Sequence, residues 1–87
     1  MYALAIHGGA GALPRTPLSS AQQRSYHAGL AEALSAGQSI LEHDGSALDA
    51  VEAAVTQLED DPLFNAGRGA VLTIDGTVEL DAAIMDG

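Results

Sequence analysis

Apolar positions fall at helical spacing through the middle of the chain and crowd into short runs at both ends. Tyr2 to Ile6 is a short apolar run that stops at His7-Gly8-Gly9. It reads as a buried strand feeding a glycine-rich turn. Residues 10–19, with Pro14 and Pro17, read as a loop. From about Ser20 the period becomes helical, with Leu30, Leu34, Gly37 and Leu41 in step and Ala33 and Ile40 beside them. Ser19 or Ser20 fits an N-cap and Gly45 a C-terminal stop. Gly29 and Gly37 each weaken such a helix by ~1 kcal/mol relative to Ala. They make sense if another element packs closely at those points.

Ser46 and Asp49 form the S-x-x-D signature of a second helix start. Ala47, Leu48, Val51, Val55 and Leu58 form its expected apolar stripe. Pro62 ends it, because its neighbour Asp61 is biased away from helical angles. Ala70 to Ile74 and Thr77 to Asp81 are β-rich runs separated by Asp75-Gly76, a strong hairpin signal. A two-residue loop would pair Ile74 with Thr77 and Leu72 with Glu79. Both faces are then mixed, as expected of a sheet covered on both sides. Ala82 to Met85 could continue as strand. The predicted order is strand, helix, helix, strand, strand: an α/β (α+β) arrangement with no clean linker. The run ending at Asp86-Gly87 leaves an unpaired edge, so the expectation is a portion of a larger domain.

Composition narrows the function classes. With 87 residues the chain holds one domain or part of one. The net charge is −9 and there is no lysine, whereas a phosphate-binding surface needs clustered Lys and Arg. Nucleic acid and anionic membranes are therefore excluded as expected partners. There are no cysteines, so neither a disulfide nor a thiolate metal site is available. The N-terminus lacks the basic start of a secretory signal, and no segment approaches the ~20 apolar residues of a membrane span. A soluble, intracellular protein is expected.

Three constellations could carry chemistry. His7-Gly8-Gly9-Ala10-Gly11 follows the first strand, where glycines let backbone N–H groups approach an anion. An oxyanion hole is one reading, but the G-x-S-x-G elbow it would need is absent. A dinucleotide fingerprint fails as well. The alternative is a tight turn with a satisfied histidine. The second constellation is LEDDPLFNAGRGA, Leu58 to Ala70. Glu59, Asp60 and Asp61 crowd a helix C-terminus that already carries about half a negative charge and up to four orphan carbonyls. Either a hard cation ringed by oxygens relieves this end, or the end is a solvated acidic surface with Arg68 as a weak partner. The third is Glu79, Asp81 and Asp86. Alternate strand positions share a face, so two of these acids could converge for acid–base work, or they line an exposed face. His27 and His43 read as helix-surface residues. The serines have no neighbouring base, and Gly76-Thr77-Val78, which could be imagined as an autocleavage site, is better explained by the hairpin turn.

HGGAG at 7–11, SALDAVEAAVTQLEDDPLFNAGRGAVLT at 46–73 and VELDAAIMDG at 78–87 resemble the N-terminal part of plant-type L-asparaginases, which are also isoaspartyl peptidases of the N-terminal-nucleophile (Ntn) class. The resemblance runs through essentially the whole chain in order. It implies an αββα sandwich, of which residues 1–87 would be the N-terminal portion of a single domain. It implies a precursor that cuts itself into α and β subunits, and a β subunit that begins with a catalytic Thr whose own α-amino group acts as base. That Thr lies outside this chain, so no catalytic residue is expected within it, and alone it should be inactive. The reaction implied is hydrolysis of L-asparagine and β-aspartyl dipeptides. The resemblance also implies a structural sodium ion held by the main-chain oxygens of Leu58, Glu59, Asp61, Phe64, Ala66 and Arg68. Asn65 would lie close to the nucleophile, and His7, Gly8 and Gly9 would pack near the cleavage region. The implied partners are the remainder of the α subunit and the β subunit, in an (αβ)2 assembly, with a small amide as substrate. Glycosylasparaginase is a related alternative; its usual signal peptide and disulfides have no counterpart here, which favours the cytoplasmic type. A non-catalytic acidic module that binds a cation or a partner is the rival from a different class.

Overall fold

The computed structural model describes residues 1–9, 17–64, 66–70 and 72–87. Two helices form its frame: α1, Ser20–Glu42, and α2, Ala47–Asp60. A short 3-10 turn, Gly67–Gly69, follows.

The ends of α1 are closed by local chemistry. Ser19 is the N-cap. The Gln22 N–H donates to Ser19 Oγ (3.1 Å) and the Ser19 N–H donates to Gln22 Oε1 (2.8 Å). This reciprocal box satisfies two of the orphan donors of the first turn. At the other end the Gly45 N–H donates to the Ile40 carbonyl (2.8 Å) and the Asp44 N–H to the Leu41 carbonyl (3.3 Å). Those two bonds make a Schellman motif. Its left-handed position is taken by Asp44, at φ 62°, and not by the glycine. Gly45 is needed for space: a Cβ there would collide with Ile40 Cγ2 and lie 2.7 Å from the Ile40 carbonyl oxygen. The Ser46 hydroxyl then caps α2 by accepting from the Asp49 N–H (3.0 Å).

The helices meet through small side chains. Gly29, Ala33 and Gly37, four residues apart along α1, are all buried, as are Ala50, Ala54 and Leu58 along α2. A Cβ on Gly37 would lie 2.7 Å from Leu4 Cδ2 and 3.0 Å from the Ala50 carbonyl oxygen. The glycines that cost α1 propensity thus buy close approach, as the sequence required. The stripe expected on α2 is shifted: Val51 and Val55 are 39% and 48% exposed, and the smaller Ala50 and Ala54 take the interior. A helix packed at glycine distance has no room for β-branched side chains on the contact face. Ala33, Leu58 and Phe64 form the core, with Ile6, Tyr26 and Leu30 packed against it.

The strand-helix-helix-strand-strand order is overturned, and with it the α/β (α+β) sandwich portion. Among the described residues there are two helices and no strand. Residues 2–6 instead lie against the helices, with Leu4 over Gly37 and the Tyr2 hydroxyl donating to Glu42 Oε1 (3.1 Å). A helix closes its backbone hydrogen bonds within one segment, whereas a strand needs a neighbour in register. Among the described residues no ladder reaches these runs. The turn at 73–77 does form, in a different register from the one expected. The Thr73 N–H donates to the Thr77 carbonyl (2.7 Å) and the Gly76 N–H to the Thr73 carbonyl (2.9 Å), with Gly76 at φ 77°. That is a three-residue loop ending in a left-handed glycine. Thr73 therefore pairs with Thr77, and Ile74 stands at the tip, fully exposed.

Candidate functional site

The site is built on the end of α2. Asp61 leaves helical angles at φ −94°, ψ 115°, as Pro62 dictates. Its Oδ1 accepts the Leu63 N–H (3.0 Å), a side-chain turn that Asp favours. Main-chain bonds then carry the loop onward. The Phe64 N–H donates to the Asp61 carbonyl (3.2 Å), Ala66 to Phe64 (2.8 Å), Gly69 to Ala66 (3.1 Å) and Ala70 to Gly67 (3.2 Å).

Two glycines let this loop fold onto its own carbonyl edge. Gly67 has φ 50°, and a Cβ there would lie 2.5 Å from the Glu59 carbonyl oxygen. A Cβ on Gly69 would overlap the carbonyl oxygens of Phe64 and Pro62. Oxygens from three residues of the loop thus face one short turn. Among the described residues no three His, Asp, Glu or Cys side chains group to hold a metal ion. The oxygens that crowd this turn belong to the main chain. Among the described residues the carbonyls of Leu58, Asp61, Phe64 and Ala66 each accept one backbone N–H, and a carbonyl oxygen carries two lone pairs. An all-oxygen donor set fits a hard cation. Leu58 and Phe64 are buried, Asp61 and Ala66 half-buried, and Glu59 and Arg68 exposed. Asn65 lies outside the described residues. Pro62, read from the sequence as the stop of α2 and not as a ligand, contributes an oxygen to the same edge.

The glycine turn at the N-terminus belongs to the same unit. The Gly9 N–H donates to His7 Nδ1 (2.9 Å), with Gly9 at φ 122°. That bond commits the Gly9 N–H and fits the tight-turn reading of the histidine. Gly8 rests on the ring of Phe64: a Cβ there would lie 3.1 Å from Phe64 Cε1 and 3.2 Å from Leu30 Cδ2. From α1, Gly29 approaches so closely that a Cβ would lie 2.5 Å from Asp61 Oδ2 and 2.9 Å from Phe64 Cε2. Tyr26 meets the same ring edge-on, with centroids 6.0 Å apart at 84°. Phe64, 5% exposed, is thus the joint between the glycine turn, α1 and the acidic loop. Sequence reasoning treated Phe64 only as a backbone ligand. The signal for the joint was Gly29, a costly residue in mid-helix.

The remaining candidates do not gather. Glu79, Asp81 and Asp86 are exposed in segments without ladder pairing, so no shared strand face brings the first two together. His27 and His43 are exposed, and His43 Nδ1 sits 2.6 Å from the Ser39 carbonyl oxygen. No helix among the described residues is long and apolar enough to cross a membrane.

Comparison with known proteins accounts for the pattern. The sequence model of a family described as Asparaginase matches residues 1–87. An isoaspartyl peptidase of Salmonella typhimurium is 56% identical over 84 residues, 97% of this chain and 27% of that protein. A plant-type L-asparaginase of Pyrococcus abyssi is 52% identical over 89 residues, covering 100% of this chain and 27% of its own length. The human isoaspartyl peptidase/L-asparaginase is 50% identical over 82 residues, 94% of this chain and 25% of the relative. The chain spans about a quarter of the length of these curated relatives. The acidic loop and the glycine turn joined at Phe64 therefore sit within a sequence that matches one family from end to end: the chain belongs to the asparaginase family.

Proposed function

We propose that the chain is part of an amidohydrolase that hydrolyses L-asparagine and β-aspartyl (isoaspartyl) dipeptides. The observation that carries this reading is the family match across all 87 residues, supported by relatives named for those activities. Residues 1–87 would form the N-terminal portion of the hydrolase domain. The nucleophile would be a Thr outside this chain, freed by self-cleavage at the start of a β subunit, with its α-amino group as base. This chain would work with that subunit and the rest of the α subunit, in the cytoplasm, as an (αβ)2 assembly.

Its own residues would serve as support. Asn65 would lie beside the nucleophile, with the His7-Gly8-Gly9 turn held against the same loop by Phe64. The main-chain oxygens of Leu58, Glu59, Asp61, Phe64, Ala66 and Arg68 would hold a structural sodium ion. Bound there, the ion would supply the positive charge that a helix end crowded with acids lacks. The α2 end has no basic residue in its last turn, which favours the reading.

The test is activity of the full-length polypeptide that carries this segment. After self-cleavage it should release ammonia from L-asparagine and aspartate from β-aspartyl dipeptides. A folded, cleaved protein that hydrolyses neither would overturn the proposal.

A further inference from the structure

Asp is followed by Gly at 44–45, 75–76 and 86–87. Such a step is chemically labile because glycine has no Cβ to obstruct attack by its backbone nitrogen on the preceding carboxyl. The Gly N–Cγ bond forms, the amide proton and the Cγ hydroxyl leave as water, and a succinimide closes. Water then opens the ring at either carbonyl, giving aspartate or isoaspartate. Atoms balance with water alone, and no oxidant or co-substrate is required. The rate depends on whether the local backbone can bring the nitrogen to Cγ. Asp86–Gly87 has described neighbours on one side only, so the comparison is between the two internal steps.

Asp44–Gly45 is locked. The Gly45 N–H is held by the Ile40 carbonyl at 2.8 Å, Asp44 is held by Leu41, and Gly45 is pressed against Ile40. Freeing that nitrogen means unwinding the last turn of α1. Asp75–Gly76 stands at an exposed tip. Nothing lies within 4 Å of a Cβ on Gly76. Among the described residues the Gly76 N–H is held by one bond, to the Thr73 carbonyl (2.9 Å), inside a turn with no strand ladder behind it. Local opening of an isolated turn is far easier than melting a capped helix end.

We propose that Asp75 is a site of spontaneous isomerisation to isoaspartate through a succinimide, and that the same dipeptide at Asp44 is protected by the helix cap. The product would carry one extra methylene in the backbone between Thr73 and Thr77. That insertion would break the pairing of those residues, whose hydroxyls now lie 2.8 Å apart. The inference rests on turn geometry and stands apart from the proposed catalytic function.

The experiment ages the full-length protein in heavy-oxygen water at neutral pH and physiological temperature, followed by peptide mapping. Heavy oxygen should enter Asp75 more than about tenfold faster than Asp44, because one turn opens more readily than a helix end. The Asp75→Glu variant, which would have to close a six-membered ring, should lose the signal. Equal incorporation at the two sites would overturn the proposal. So would no incorporation at Asp75 while a synthetic peptide of residues 72–78 isomerises under the same conditions, or a signal that persists in Asp75→Glu.

Discussion

Gly29 and Gly37 lie on one face of one helix, two turns apart, with Ala33 between them, and both are buried. Their surroundings differ. Gly37 faces α2 and Leu4, so its missing side chain sets how closely the frame packs. Gly29 faces the carboxylate of Asp61 and the ring of Phe64, so its missing side chain seats the acidic loop. One residue type on one helix builds the scaffold at one end and positions the candidate site at the other. The contrast implies that damage at the Gly37 end reads out as stability, whereas damage at the Gly29 end reads out first as loss of site geometry.

Substitutions in the full-length protein can break or sharpen that contrast. The largest effect is expected at the joint. Phe64→Ala should cost ~3–5 kcal/mol in urea unfolding, the range for a buried aromatic whose cavity cannot collapse. A cost below ~1 kcal/mol would remove Phe64 as the joint, since changes of that size are ordinary for peripheral sites. Next come the two glycines as a pair. Ala at either position gains ~1 kcal/mol of helix propensity but overpacks a contact already at van der Waals limits, a penalty of ~1–3 kcal/mol. Both should lose net stability in thermal or urea unfolding. Activity per folded molecule should fall in Gly29→Ala and hold in Gly37→Ala; the reverse pattern would dissolve the comparison. Smaller still, Ser19→Ala should cost ~1 kcal/mol by removing one side of the capping box. The smallest effect has the opposite sign. Asp44→Gly should raise stability by a few tenths to ~1 kcal/mol, because glycine adopts φ 62° without a Cβ penalty. A loss there would mean that the Asp44 side chain contributes something its backbone geometry does not require.

The helices and their caps were legible in the sequence because their determinants are local. Ser46 with Asp49 and Pro62 after Asp61 act within a turn of where they stand, and the α1 cap, left between Ser19 and Ser20, is settled by the Ser19–Gln22 box. The costly glycines pointed to close packing but not to what packs there, since Leu4 and Phe64 arrive from distant parts of the chain. The strands were misread for the same reason. A β-rich run announces a preference, but a strand exists only when another backbone offers matching donors and acceptors. Residues 72–81 keep their turn and gain no ladder. The turn register moved by one residue: Thr73 and Thr77 pair through a main-chain bond and a hydroxyl contact, which the Asp-Gly signal alone did not encode. In the acidic loop, oxygen donors could be expected from glycine spacing and charge. The Phe64 joint needed three-dimensional placement of residues 8, 29 and 64.

Under the proposed function the acidic loop would support catalysis through backbone shape and not through its carboxylates. Gly69 and Asp60 separate these directly. A Cβ on Gly69 would overlap the carbonyls of Pro62 and Phe64, whereas Asp60 is exposed at the last residue of α2. The measurement is ammonia release from L-asparagine, per folded molecule, by the full-length Gly69→Ala and Asp60→Ala proteins. The account predicts that Gly69→Ala loses most of its activity while Asp60→Ala stays within about twofold of the parent, as expected of a surface change. Retained activity in Gly69→Ala with collapse in Asp60→Ala would contradict it.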